Sequence, residues 1–316
     1  MDHRDIAVIG GDRRIAYLAQ ILAREGFRVI RYATCALPGG DTSQNLPSGD
    51  TSPKQSSPEF SGATDPLTAP TLKEAVTSAG TVICGIPLER DHALNCPEGT
   101  GRIPLTELQR CLRRCQKFFG GMLSEDFRRH CEERSIECHD FMEDEPLTLF
   151  NAICTAEGAI LEALSHKECL LHQSSCLVLG YGRCGSLIAE RLRGLCARVF
   201  VTTENPTELA LAQSKGCEAF PLKQLSSRVS QFDYLFNTIP ACYLGADCLP
   251  QVRRDCLIID VASGRLGVDY DLAKELSLNA LFCPGLPGKY AAKSCAERLA
   301  KYVMENLDEA KTWKGA

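Results

Sequence analysis

Gly180-Tyr181-Gly182-Arg183-Cys184-Gly185 is the segment best suited to bind a phosphate-bearing ligand. This G-x-G-x-x-G segment directly follows the apolar run Cys176 to Leu179 and directly precedes a helical pattern, Leu187 to Leu195. In that setting the first glycine permits a tight turn, the second lets the backbone approach a pyrophosphate, and the third lets helix and strand pack closely. The helix N-terminus then offers unpaired N–H groups and a partial positive charge to phosphates. The implied chemistry is dinucleotide binding, against the alternative of a bare structural turn. A second glycine turn, Gly10-Gly11-Asp12, lacks the full spacing and sets a carboxylate where a pyrophosphate would lie. One cofactor site, in the second half of the chain, is therefore expected.

NAD-specific sites place Asp or Glu about 20 residues after the glycine motif to hold the ribose hydroxyls. Thr202-Thr203 occupies that position, with Glu204 one step on. Two hydroxyls in place of a carboxylate favour NADP, and NAD stays open because of Glu204. Two further segments end predicted strands, where ligands of open α/β sheets gather. They are Asn237-Thr238-Ile239-Pro240 and Val261-Ala262-Ser263-Gly264-Arg265, the alternative being ordinary turns. A rigid loop, Pro284-Gly285-Leu286-Pro287-Gly288-Lys289, leads to Lys293 near the start of the last helix.

The 316 residues of the chain suggest two domains. A hydrophobic share of 44% with 24% charged residues excludes a disordered or fibrous chain. The 35 basic and 40 acidic residues, net −5, argue against a nucleic-acid surface. No run reaches the ~18 uninterrupted apolar residues of a membrane span, and the start, Met1 to Gly10, reads as a strand rather than a signal core, so a cytoplasmic protein is expected. Most of the eighteen cysteines lie singly in apolar runs without any CxxC, which fits free thiols in a reducing compartment and no metal site.

A strand at Asp5 to Ile9, a helix bearing Ile15, Leu18 and Leu22, and a strand at Phe27 to Tyr32 open the first domain. Residues 38–70 are rich in Ser, Thr, Pro and Gly and read as a floppy inserted loop. Pro146 to Ser165 reads as a connecting helix burying Leu149, Ile153, Ile160 and Leu164. The expected domains are 1–145, an open α/β sheet, and 146–316, the linker helix, the dinucleotide-binding sheet and a C-terminal helix near Ala291 to Asn306 that packs back across the junction.

AVIGGDRR at the start, Thr155-Ala156-Glu157-Gly158 in the linker helix, GYGRCG, NTIP, the stretch Asp260 to Asp269, and PGLPG followed by Lys293 together resemble the family of the dipicolinate synthase A subunit. The resemblance covers nearly the whole chain except 38–70. It implies two Rossmann-like open parallel-sheet domains joined by a linker helix. It also implies oxidation of a dihydrodipicolinate-type intermediate to dipicolinate in the mother cell of a sporulating bacterium, with hydride passed to NADP. The flavoprotein-like B subunit of dipicolinate synthase is the implied partner, and an oligomer is expected. Where the family carries a basic residue before Pro-Gly-Gly, this chain has Gly264-Arg265-Leu266-Gly267, with the cation displaced by one.

A cyclic imine diacid needs fixed cations or N–H groups for its two carboxylates. Arg14, Arg265, Lys289 and Lys293 are the candidates, and the family motifs add Asp12, Thr155 and Pro287 to the substrate-binding set. Arg14 from the first half and Lys293 from the second are the expected leading pair, across a cleft. Loss of a hydride also requires a group to take the ring proton, for which Glu157 and Lys293 are the candidates. Two other readings compete. A 2-hydroxy-acid dehydrogenase needs a histidine late in its second domain, yet all six, at 3, 92, 130, 139, 166 and 172, precede the glycine motif. A non-catalytic assembly protein that binds NADP without turnover is the other.

Overall fold

The computed structural model describes residues 5–37 and 65–308. These divide into two compact units, the first comprising Met1–Thr148 with Ala292–Ala316 and the second Leu149–Ala291. One boundary falls inside the helix Glu145–His166 and the other between the helices Leu286–Tyr290 and Ala292–Asp308.

In the first unit, β1 (Asp5–Ile9), α1 (Arg13–Arg24) and β2 (Arg28–Tyr32) are followed by a short strand β3 (Leu67–Thr68), α2 (Leu72–Thr77) and β4 (Thr81–Ile83). A small hairpin, β5 (Glu89–Arg90) and β6 (Ala93–Leu94), precedes α3 (Leu105–Cys111), β7 (Lys117–Gly120), α4 (Glu125–Glu133) and β8 (Glu137–Asp140). The sheet order is β3-β2-β1-β4-β7-β8, and each pairing is parallel. Of the predicted insertion, 38–64 lies outside the described residues, and the chain past Asp65 is already ordered as the β3 edge strand.

The long α5 (Glu145–His166) leads to β9 (Ser175–Leu179), α6 (Arg183–Gly194), β10 (Arg198–Thr203), α7 (Pro206–Ser214), β11 (Glu218–Pro221) and α8 (Leu225–Arg228). Then come β12 (Tyr234–Asn237), β13 (Leu257–Asp260), α9 (Tyr270–Glu275), β14 (Asn279–Phe282), α10 (Leu286–Tyr290) and α11 (Ala292–Asp308). The second sheet runs β11-β10-β9-β12-β13-β14, again parallel. Its central strands are buried along their full length, which is why they read in sequence as unbroken apolar runs. Both sheets thus reverse direction beside their first strand, and each reversal opens a crevice at the carboxyl ends.

Two expectations are corrected. The C-terminal helix packs back on the first sheet as expected, Ala296, Leu299, Ala300 and Val303 lying with Ile6, Val8, Ile15 and Leu18, so it belongs to the first unit and not to a 146–316 domain. In α5, Leu149 and Leu164 are 45% and 49% exposed, whereas Ala156, Ala159, Ile160 and Ala163 pack on the second sheet. Small residues on that face allow closer approach to the strands than leucines would. By length and mean hydropathy, 1.4, α5 could also cross a membrane, and half of that stretch is buried in protein.

Candidate active site

The glycine turn sits between β9 and α6, at the reversal of the second sheet. Gly180 has φ +87°, and a Cβ there would meet Thr238 Oγ1 at 2.6 Å. A Cβ on Gly185 would fall 2.2 Å from the Gly180 carbonyl oxygen, so this glycine lets α6 close onto the turn. Gly182 faces open space, with nothing within 4 Å of an added Cβ. It is the N-cap of α6 and no side chain caps the helix there. One glycine each for turn, packing and approach is the division of labour that a pyrophosphate cradle requires.

A cavity of about 440 Å³ opens at this turn, lined in part by Gly180, Tyr181, Gly182, Arg183, Cys184 and Thr203. Thr238, Ile239 and Pro240 close it from the end of β12. The same wall carries Glu204, one step past the expected threonines, and four residues not singled out in the sequence: Asn205, Glu208, Leu222 and Tyr243. The Cys184 thiol is held above its usual range by burial, partly offset by the Arg183 charge and a hydrogen bond with Thr155.

The threonines do not offer open hydroxyls. Thr202 is fully buried and donates to the Phe220 carbonyl at 3.0 Å, within the sheet. Thr203 donates to Glu208 Oε2 at 2.6 Å, and Tyr243 donates to Glu204 Oε1 at 2.9 Å. The end of the second strand therefore presents two carboxylates to the cavity, not a neutral hydroxyl pair. Glu208 was missed because its place depends on the first turn of α7, not on the motif spacing.

Asn237 and Asp260 end adjacent strands in register and are both fully buried. Asn237 Nδ2 donates to Asp260 Oδ1 at 2.9 Å and to the Ile239 carbonyl at 3.0 Å. Asn237 thus shapes the Thr238–Pro240 wall from beneath without lining the cavity. Val261 and Ala262 are likewise outside the lining, and the Ala262 N–H donates to Asp260 Oδ1 at 3.1 Å. Arg265 places its guanidinium 4.5 Å above the Tyr270 ring, on the solvent side.

Of the expected proton acceptors, Glu157 is 65% exposed and pairs with Arg191 at 3.6 Å, so it is a surface residue of α5 and not a lining group of this cavity. The buried carboxylate of that helix is Glu162. It accepts from Lys289 Nζ at 2.6 Å and Tyr290 Oη at 2.8 Å, with His166 Nδ1 at 3.4 Å. Burial alone would raise its pKa; the Lys289 and Tyr290 hydrogen bonds and the Lys289 and His166 charges outweigh that and lower it. Lys289 is accordingly engaged in fastening α10 to α5. Pro287 is buried in α10, and a Cβ on Gly158 would meet Leu286 at 2.8 Å. Thr155 donates back to the Asn151 carbonyl at 2.9 Å within its own helix.

The glycine turn of the first unit is closed to a dinucleotide. The Gly11 N–H donates to the Asn95 carbonyl at 2.6 Å, and Cβ atoms on Gly10 and Gly85 would meet Asn95 O and Gly11 Cα at 2.9 Å. Asp12 caps α1 by accepting from the Arg14 N–H at 3.0 Å and pairs with the Arg14 guanidinium at 2.7 Å. Arg14 also donates to the Ile86 carbonyl at 2.8 Å and is 5% exposed. Lys293, exposed in the first turn of α11, lies in this same unit. The expected pair therefore does not come from two halves of the molecule. Among the described residues no group of three His, Cys, Asp or Glu side chains could hold a metal ion, and the eighteen cysteines are free thiols.

This architecture defines a two-unit α/β protein of the dehydrogenase type, with a nicotinamide-dinucleotide-binding domain as its second unit. Residues 153–286 match the D-isomer specific 2-hydroxyacid dehydrogenase NAD binding domain, and residues 5–142 match the N-terminal domain of the dipicolinate synthase A subunit. The dipicolinate synthase A subunit of Bacillus subtilis is 34% identical over 173 residues, 55% of this chain. That stretch spans 58% of the relative's length. The chain is thus similar to the dipicolinate synthase A subunit over these stretches. Crystal structures of that protein from Bacillus halodurans and Bacillus subtilis share the fold, each with a TM-score of 0.76 at 22% and 23% identity. They cover 96% and 99% of this chain, which covers 97% and 98% of theirs. An L-alanine dehydrogenase shares the fold more distantly, at TM-score 0.56 and 14% identity, with 98% of this chain and 92% of its own covered.

Proposed function

We propose that this chain oxidises a dihydrodipicolinate-type cyclic imine diacid, formed from 4-hydroxy-tetrahydrodipicolinate, to dipicolinate. The observation that carries the reading is a complete dinucleotide cradle in a chain whose other unit matches the N-terminal domain of the dipicolinate synthase A subunit. When bound, a nicotinamide dinucleotide supplies the hydride acceptor. The chain's residues orient that acceptor: the Gly180–Gly185 turn and α6 N-terminus take the pyrophosphate, and the Thr238–Pro240 wall fixes the adjoining half. The substrate loses a hydride and a proton to become aromatic. With Glu157 paired on the surface, the exposed cation Lys293 is the candidate to hold a substrate carboxylate, and the ring proton passes to water.

The resemblance implies NADP, but the cavity supports NAD. A 2′-phosphate carries nearly two negative charges and would face Glu204 and Glu208, whereas a 2′-hydroxyl can donate to either carboxylate. Partnership with the flavoprotein-like B subunit of dipicolinate synthase, an oligomeric assembly and a cytoplasmic, mother-cell setting complete the proposal. The 2-hydroxy-acid alternative has the family match of residues 153–286 in its favour. Against it, no histidine follows position 172.

The deciding experiment supplies freshly made hydroxytetrahydrodipicolinate and NAD to the chain, with and without the B subunit, and follows reduced cofactor and dipicolinate by absorbance. Equal amounts of both products are expected. Dipicolinate without cofactor reduction, or turnover of 2-hydroxy acids instead, would overturn the reading.

A further inference from the structure

At the carboxyl edge of the second sheet, Asp260 is a fully buried carboxylate that no part of the dinucleotide motif explains. Three donors converge on it: Asn237 Nδ2 at 2.9 Å, the Ala262 N–H at 3.1 Å and the Tyr270 phenol at 2.6 Å. All three give a proton and none carries a charge, the pattern that an ionised carboxylate accepts. Burial, followed by the hydrogen bond to Asp260, pushes the Tyr270 phenol well above its usual range, so it stays a neutral donor. The hydrogen bonds satisfy the oxygens, but they do not cancel the charge.

The main chain folds over this anion. A Cβ on Gly267 would fall 2.0 Å from Asn237 Nδ2 and 3.0 Å from Asp260 Oδ1, so only glycine fits there. The Arg265 cation above the Tyr270 ring is exposed, where water and salt screen it. Asp260, being buried, is screened much less. A buried charge is expensive, and an apolar residue would seal a sheet end at lower cost. A functional account must say what the anion does for a ligand.

Its place in the topology supplies that account. A dinucleotide on this sheet puts its pyrophosphate at the α6 N-terminus and one ribose beside the second strand, at Glu204 and Glu208. Its other half then extends toward the fourth and fifth strands, β12 and β13, which end at Asn237 and Asp260. The nicotinamide ring is a cation when oxidised and neutral when reduced. Its charge changes by one unit in the reaction while every other group of the cofactor keeps its own.

We propose that Asp260 selects the charge state of the bound nicotinamide, holding the cationic oxidised ring more tightly than the neutral reduced one. The inference rests on the dinucleotide reading of the second unit. The carboxylate favours capture of the oxidised cofactor, and the attraction disappears once the hydride has been transferred. Release of reduced product is thereby favoured, while hydride transfer on the protein becomes less favourable by the same factor, a cost that aromatisation of the product offsets.

The test is calorimetric titration of the full chain with NAD⁺, NADH and ADP-ribose, the last lacking the nicotinamide. Wild type should bind NAD⁺ about tenfold more tightly than NADH, a ratio equivalent to about 1.4 kcal/mol. In Asp260→Asn, which keeps size and an acceptor oxygen, the ratio should fall toward unity while ADP-ribose affinity stays within about twofold. Equal losses for all three ligands would show a scaffold residue and overturn the proposal. So would a wild type that binds NADH as tightly as NAD⁺, a measurement that needs no variant to fold. If ADP-ribose itself fails to bind wild type, the dinucleotide reading falls and the inference falls with it.

Discussion

Tyr243 donates its phenolic proton to Glu204 Oε1 at 2.9 Å, tying the segment after β12 to the end of β10 along the wall of the dinucleotide cavity. The hydrogen bond to Glu204 is the main cause that raises the Tyr243 phenol above its usual range. One carboxylate oxygen is thereby oriented, and the other is free to accept from a ribose.

Cofactor preference follows from this wall. NAD should bind wild type at least about tenfold more tightly than NADP, since like charges across a partly exposed site cost on the order of 1–2 kcal/mol. In the double variant Glu204→Gln, Glu208→Gln, fluorescence titration should show NADP affinity rising by about tenfold or more, with NAD weakened by less. Unchanged NADP affinity would remove these carboxylates from the ribose site.

Glu162 should make stability depend on pH. Its pKa lies below the ordinary 4.5 in the folded chain, so the unfolded chain takes up the proton first. The stabilisation is therefore fully present above about pH 4.5 and is lost as pH falls through the lower folded value. Glu162→Gln should flatten denaturant midpoints in that acid window. At neutral pH it should cost on the order of 1–2 kcal/mol, with Lys289 left half-exposed and unpaired. A variant with the wild-type acid profile would contradict the assignment.

Arg14 and Lys293 should separate on substitution. Arg14→Met removes the guanidinium that pairs with Asp12 and donates to the Ile86 carbonyl, and thermal melts should show a loss of about 2–3 kcal/mol. Lys293→Met, at an exposed position, should leave the melt unchanged while the KM for the diacid rises about tenfold and cofactor affinity stays constant. A normal KM would remove Lys293 from the substrate site.

The legible parts of this molecule are those fixed by local backbone demands. Gly180, Gly182 and Gly185 announce their roles by spacing because each role is a steric requirement within six residues. Cys176 to Leu179 reads as a strand because a parallel strand is apolar on both faces. What the sequence hides is tertiary partnership. Nothing local says that Glu162 rather than Glu157 turns inward, that Lys289 spends its charge on Glu162, or that Thr202 bonds to Phe220 across the sheet. The C-terminal helix shows its apolar stripe and its return across the junction, but not that Ile6 and Val8 are the residues it covers.

On the proposed reading one dinucleotide lies on the second unit's glycine turn, with Gly182 against its pyrophosphate. An added Cβ there meets no protein atom but enters the space a pyrophosphate would occupy. Gly182→Ala should melt within a degree or two of wild type and bind NAD at least about tenfold more weakly by calorimetry. Gly185→Ala, whose Cβ collides with the Gly180 carbonyl at 2.2 Å, should instead lose about 1–3 kcal/mol of stability. Wild type should titrate with one NAD per chain. Undiminished NAD binding by Gly182→Ala, or two sites per chain, would contradict the account.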